Sequence, residues 1–225
     1  IVLFIAMVVV SQFMLTFGSD PNAKVTKKSK SPLSFHPIAL IFGLLSFVSY
    51  LVEGAVGDWS ALYLFEDKGI VIEEAVMGVM LFNGTMCIGR LLGNRLGKHL
   101  TSKQVVVGGY LLGSIAMGLI VFLPGHASMY TYLLLGISLA MIVPNLFSAM
   151  GEQNVIPMTQ AVATSTMLGY MGILMGPALI GFIAHGTSLT VAFIVLTILL
   201  VVSAGIGKYA YHLMSKDCGL SEEQI

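Results

Sequence analysis

Seven apolar stretches fill most of the chain, at 1–18, 37–63, 75–93, 104–124, 129–150, 159–184 and 188–208. A helix rises about 1.5 Å per residue, so about 20 apolar residues cross a hydrocarbon core about 30 Å thick. The pattern predicts seven transmembrane helices, of which the first is short. Polar positions collect in the connections. The stretch 19–36 (SDPNAKVTKKSKSPLSF up to Phe35) is rich in Lys, Ser and Pro without apolar periodicity, which reads as an aqueous linker. It separates a lone first helix from six closely connected ones.

Charge then orients the spans. Lys24, Lys27, Lys28 and Lys30 follow the first run, Arg90, Arg95, Lys98 and Lys103 the third, and Lys208 and Lys216 the last. Lys68 alone lies on the other side, in a loop shared with Glu66, Asp67, Glu73 and Glu74. Short cytoplasmic loops retain Lys and Arg, so the basic loops and the C-terminal tail are expected in the cytoplasm. The 151–158 connection carries only Glu152, and parity rather than charge places it inside.

Composition agrees with a lipid solvent. Charged residues make up 10% of the chain, against about 25% in soluble domains, and the mean hydropathy is +0.92. No basic face remains for nucleic acid once the cytoplasmic loops are assigned. Cys87 and Cys218 form neither a disulfide framework nor a metal motif. The chain opens at Ile1 directly in an apolar run, so an internal start, and hence a fragment, is expected.

The spans contain few groups able to do chemistry. Ile38 to Val52 is uncharged, which puts Glu53 about 22 Å from the cytoplasmic end of its helix, inside the bilayer, with Asp58 near the outer boundary. Ionisable groups at such depth usually face a cavity, a partner or a proton path. Desolvation disfavours the carboxylate ion, so these acids are the candidates for carrying a proton. Gly54 and Gly57 permit a break that would turn both inward, and Trp59 continues the apolar run. Asn83, Asn145 and Tyr170 are neutral polar groups suited to a hydroxylated solute, alongside Thr164, Ser165 and Thr166, although bonds between helices are the commoner use. Pro144 should kink the fifth span. His126 and His185 fall in outer connections and read as solvated.

Arg90, Arg95 and Lys98 read as cations at a helix end, and the spans themselves then hold no Lys or Arg, which argues against a tightly held anion. Gly89, Gly93 and Gly97 form a smooth strip for close helix approach, repeated by Gly109 and Gly113 and by Gly172 and Gly176, with Pro177 following. Met80, Leu81, Gly84, Gly89 and Gly93 align, with one gap, to Met167, Leu168, Gly172, Gly176 and Gly181. Each series lies on the second helix of a set of three, the pattern of inverted three-helix repeats.

Four segments carry a resemblance: EGAVGDWSALYL (53–64), GRLLGNRLGK (89–98), SLAMIVPNLFSAMG (138–151) and MLGYMGILMGPALIGFIA (167–184). In this order they resemble helices seven, eight, ten and eleven of bacterial major facilitator superfamily transporters, in the fucose-permease-like or a related inner-membrane branch. The resemblance covers 37–213. It implies an all-α bundle of seven spans, six of them forming the C-terminal half of that fold. Residues 1–18 would be the last helix of the N-terminal half, 19–36 the central cytoplasmic loop and 214–225 a cytoplasmic tail. Arg90, Asn94, Arg95, Gly97 and Lys98 resemble the family's cytoplasmic loop signature. Asn94 stands where an acid is common and Arg90 where Gly is, which weakens a charge-relay role for the loop.

The family implies alternating access between two six-helix halves, with solute bound at their interface; the acid at depth adds an expectation of proton coupling, and the amides one of a small sugar-like or drug-like solute. The implied partners are the lipid bilayer of the inner membrane, the N-terminal half and the solute, with no cofactor, metal or nucleic acid. The rival reading is a seven-helix receptor or photoreceptor. It would need a Lys in the middle of the last helix, or an acid–Arg pair ending the third helix and an Asn-Pro in the seventh; Pro144-Asn145 is reversed and lies in the fifth span. No Gly-x-Ser-x-Gly elbow or HExxH pair points to an enzyme.

Overall fold

The computed structural model of the protein describes residue 33 and residues 36–96, 100–153 and 155–218, the side chains of 94–96, 217 and 218 excepted. The predicted first span and most of the 19–36 linker lie outside the described residues. Within them the chain forms α1 (Pro37–Glu66), α2 (Ile72–Leu96), α3 (Ser102–Phe122), α4 (Gly125–Ala140), α5 (Ile142–Glu152), α6 (Met158–Gly186) and α7 (Leu189–Cys218). With α4 and α5 taken as one broken helix, six spans are long and apolar enough to cross a membrane. No strand occurs among the described residues.

Local chemistry sets the helix ends. Pro37 occupies the first turn of α1, where its missing N–H costs nothing, and His36 Nδ1 accepts from the Ile38 amide at 3.4 Å. At α3 the Thr101 hydroxyl accepts from Gln104 N at 3.3 Å while the Gln104 side chain accepts from Thr101 N at 3.1 Å, a reciprocal cap. Gly69 and Gly125 take positive φ (69° and 47°) in the tight connections after α1 and α3, a region that side chains with a Cβ rarely enter.

The break expected at Pro144 falls three residues earlier, at Met141. Proline has no N–H to give the carbonyl four residues back, which is that of Ala140, so the ladder lapses there. Pro144 then sits in the first turn of α5, and the Asn145 backbone amide (3.2 Å) and side-chain amide (2.8 Å) both donate to the Met141 carbonyl.

The most extensive packing pairs are α1 with α6, α2 with α4 and α3 with α7. Exchanging α1–α3 for α4/α5–α7 maps this set onto itself, as inverted repeats require. Glycine allows close approach in both of the exchanged pairs, from the α6 side in one and the α4 side in the other. Gly172 and Gly176 of α6 lie against the Phe47 and Leu51 carbonyls of α1, and Gly136 of α4 lies against the Phe82 carbonyl of α2. In lipid, helices gain little from excluding water, so close van der Waals approach along glycine faces carries the association. Tyr110, fully buried on α3, donates to Leu45 O at 2.7 Å and lies 2.8 Å from Ser49 Oγ, joining α3 to α1.

Side-chain contacts tie the helix ends near 67–71. Thr190 of α7 donates to Asp67 at 2.8 Å, and Lys68 donates to the Val121 carbonyl of α3 at 2.6 Å while lying 5.3 Å from the Tyr63 ring centroid. Desolvation there lowers Lys68 below the ordinary lysine value, against an opposing pull from Asp67. His126, expected to be solvated, meets Glu74 at 2.7 Å with both side chains half exposed.

Candidate functional site

Glu53 stands in the middle of α1, sixteen residues after Pro37. The neighbouring helix α2 runs on to Leu96, so Arg90 lies inside it, six residues before its end. One guanidinium nitrogen, Nη2, lies 3.3 Å from Glu53 Oε2 and 3.5 Å from Oε1. The spans therefore do hold a cation, contrary to the sequence-based expectation, and the carboxylate at depth has a partner. Asp58, five residues on, is exposed and points to a different face.

Two tyrosines adjoin the pair. Tyr50, about one turn before Glu53 on α1, stacks on Tyr170 of α6 with ring centroids 6.1 Å apart and planes within 6°. Gly169 makes the stacking possible, since a Cβ there would come within 2.7 Å of the Tyr50 ring. The Tyr50 hydroxyl is within electrostatic range of Glu53, Arg90 and the Tyr170 hydroxyl. Tyr50 was not apparent as a candidate from sequence, although its helical spacing from Glu53 was the available signal.

The remaining candidates lie elsewhere. Trp59 donates from Nε1 to the Pro177 carbonyl at 3.0 Å, and its indole lies against Gly181, pinning α1 to α6. It also borders an open cavity of about 480 Å³ with Glu66, Asp67 and His185 at the 67–71 end. Asn83 is exposed on α2 and gives its amide to Val79 O at 3.0 Å, as Asn145 does to Met141. Thr164 donates to Gln160 O and Ser165 to Met150 Sδ. Gly89 packs on Ala140 and Gly93 on Met141, against the break between α4 and α5. Asn94 and Arg95 belong to α2 without described side chains, and Gly97 and Lys98 lie outside the described residues. No metal-binding cluster occurs among the described residues.

Comparison with known proteins sets this bundle in a family. The chain is 41% identical over 168 residues to an uncharacterised MFS-type transporter of Yersinia pestis, covering 73% of this chain and 43% of that protein. The chain belongs to the major facilitator superfamily. It is also 31% identical over 151 residues to membrane protein MosC of Rhizobium meliloti, covering 67% of this chain and 37% of that one. Among solved structures the Escherichia coli fucose:proton symporter matches with a TM-score of 0.68 over 78% of this chain and 43% of its own, at 16% identity, which speaks to the fold alone. No family model matches the chain. Each match spans less than half the length of the relative, and none favours a receptor.

Proposed function

We propose that the described bundle is the C-terminal half of a secondary transporter that moves a small solute by alternating access, coupled to protons through Glu53. The observation that carries this reading is the Glu53–Arg90 pair within two membrane-spanning helices, beside the stacked Tyr50 and Tyr170. An ion pair in lipid is costly to keep unless it is used, because desolvation offsets much of the mutual attraction. The apolar faces of α2 and α6 are broadly exposed, at Met80, Leu91, Leu174 and Phe182 among others, and the missing half and lipid would cover them. By this reading the protein lies in the inner membrane with 97–101 and the C-terminus in the cytoplasm, following the lysine distribution.

The test uses the full-length protein in proteoliposomes under an inward proton gradient, with a panel of labelled sugars, sugar acids and aromatic acids. Glu53→Gln should abolish gradient-driven accumulation while leaving exchange or binding partly intact. Undiminished accumulation in that variant would overturn the role of Glu53.

A further inference from the structure

We infer that the Glu53–Arg90 pair is an exchange site for a ring-bearing monocarboxylate, which takes Arg90 from Glu53 while Glu53 takes up a proton. The inference rests on the transporter reading above and adds the chemical class of the solute.

The geometry of the pair is that of a contact made to be replaced. A charge-assisted N–H to carboxylate bond settles at about 2.7–2.9 Å and a guanidinium commonly engages with two nitrogens. Here a single nitrogen serves both oxygens at 3.3 and 3.5 Å, and Nη1 and Nε have no partner among the described residues. The Arg90 side chain is 44% exposed and Glu53 is 23% exposed, so an incoming carboxylate can reach the unused donors. Tyr170 is 59% exposed beside them and offers aromatic surface for a flat or ring-shaped body.

Charge balance supplies the coupling. The resting pair is neutral. A carboxylate bound to Arg90 would leave the site with one net negative charge, which low-dielectric surroundings oppose. A proton from the aqueous phase, added to a Glu53 oxygen, restores neutrality. When the carboxylate leaves, Glu53 gives up the proton and returns to Arg90. One carboxylate and one proton cross together without net charge. A neutral sugar has no comparable means of separating the pair.

Among the described residues, Arg90 is the charged group that meets Glu53. Arg90 of α2 and Tyr50 of α1 face Glu53, with Tyr170 of α6 next to them. On the other helices packed against α1, Tyr110 of α3 is bonded to Leu45 and Ser49, Tyr132 of α4 lies near Ser60 and Tyr63, and Glu152 of α5 and Tyr211 of α7 are close to each other.

The experiment measures calorimetric binding and proton uptake by the full-length protein in nanodiscs from acidic to alkaline pH. Benzoate and glucuronate serve as probes, with benzamide and glucose as their uncharged counterparts. The acids should bind and the counterparts should not, with one proton taken up per acid. Wild-type affinity should fall about tenfold per pH unit on the alkaline side, as for a ligand bound with one proton. Glu53→Gln should remove this slope and the proton uptake, and bind the acids on the order of tenfold more tightly at alkaline pH, because the competing charge-assisted contact is gone. Arg90→Gln should lose binding and Arg90→Lys should retain part of it, with ligand-free melting used to confirm folding. Equal binding of the uncharged counterparts, weaker acid binding in Glu53→Gln, or no acid bound by the wild type would overturn the inference. Proton-driven accumulation of a neutral sugar that Glu53→Gln abolishes would overturn it too, yet leave the transporter reading standing.

Discussion

Replacing Gly172 by Ala tests whether glycine faces hold the bundle together. A Cβ on Gly172 would meet the Phe47 carbonyl group, with the carbonyl carbon at 2.9 Å and Cα at 3.1 Å. These atoms are backbone of α1, so no rotamer change can clear them and the two helices must separate. Overpacking of this kind costs about 1–3 kcal/mol, and the better helix propensity of Ala returns about 0.5–1 kcal/mol. The net loss should be about 0–2.5 kcal/mol. Gly205→Ala on α7 is the control, because nothing lies within 4 Å of a Cβ built there, so it should be neutral or slightly stabilising. Gly136→Ala repeats the perturbation in the symmetry-related α2–α4 contact and should share the sign of Gly172→Ala. Detergent-titrated unfolding of the purified protein would measure all three. If Gly172→Ala is no less stable than Gly205→Ala, close glycine approach is not what joins α1 to α6.

Two further outcomes follow from the contacts at the 67–71 end. The proton on Lys68 is held less tightly in the fold than in the unfolded chain, which binds more protons below the ordinary lysine value. Stability should therefore rise with alkaline pH as that penalty is relieved, and Lys68→Met should flatten the rise in pH-dependent melting curves. Trp59→Phe removes the bond to the Pro177 carbonyl together with the outer indole ring that lies on Gly181, so melting should report a loss of at least about 0.5–1.5 kcal/mol. An unchanged melting curve would show that the Trp59 contacts do not fasten α1 to α6.

The spans from Pro37 onward were legible because a crossing helix needs an unbroken apolar run, and that property lies along the chain. Their ends shifted by a few residues, most at α7, which runs on to Cys218 rather than ending near Lys208, since a helix does not stop where lipid does. Pro144 announced a break because its missing N–H is a local fact, although the break itself falls at Met141. Asn83 and Asn145 were harder to read. An amide at depth suits a solute or a backbone carbonyl equally, and only the fold shows Val79 and Met141 accepting from them.

What the amino-acid order determined by itself was the solvent, the number of spans between 37 and 218, and the acid within the first of them. These depend on apolar run length, a property of neighbours along the chain. Only the tertiary structure decided that Arg90 belongs to Glu53, and that Tyr50 stacks on Tyr170. Those pairs are 37 and 120 positions apart, and their meeting follows from how α2 and α6 pack around α1. Hydropathy is a sum over neighbours in sequence, whereas an ion pair depends on rotation and register between helices, which glycine contacts set after the spans have formed.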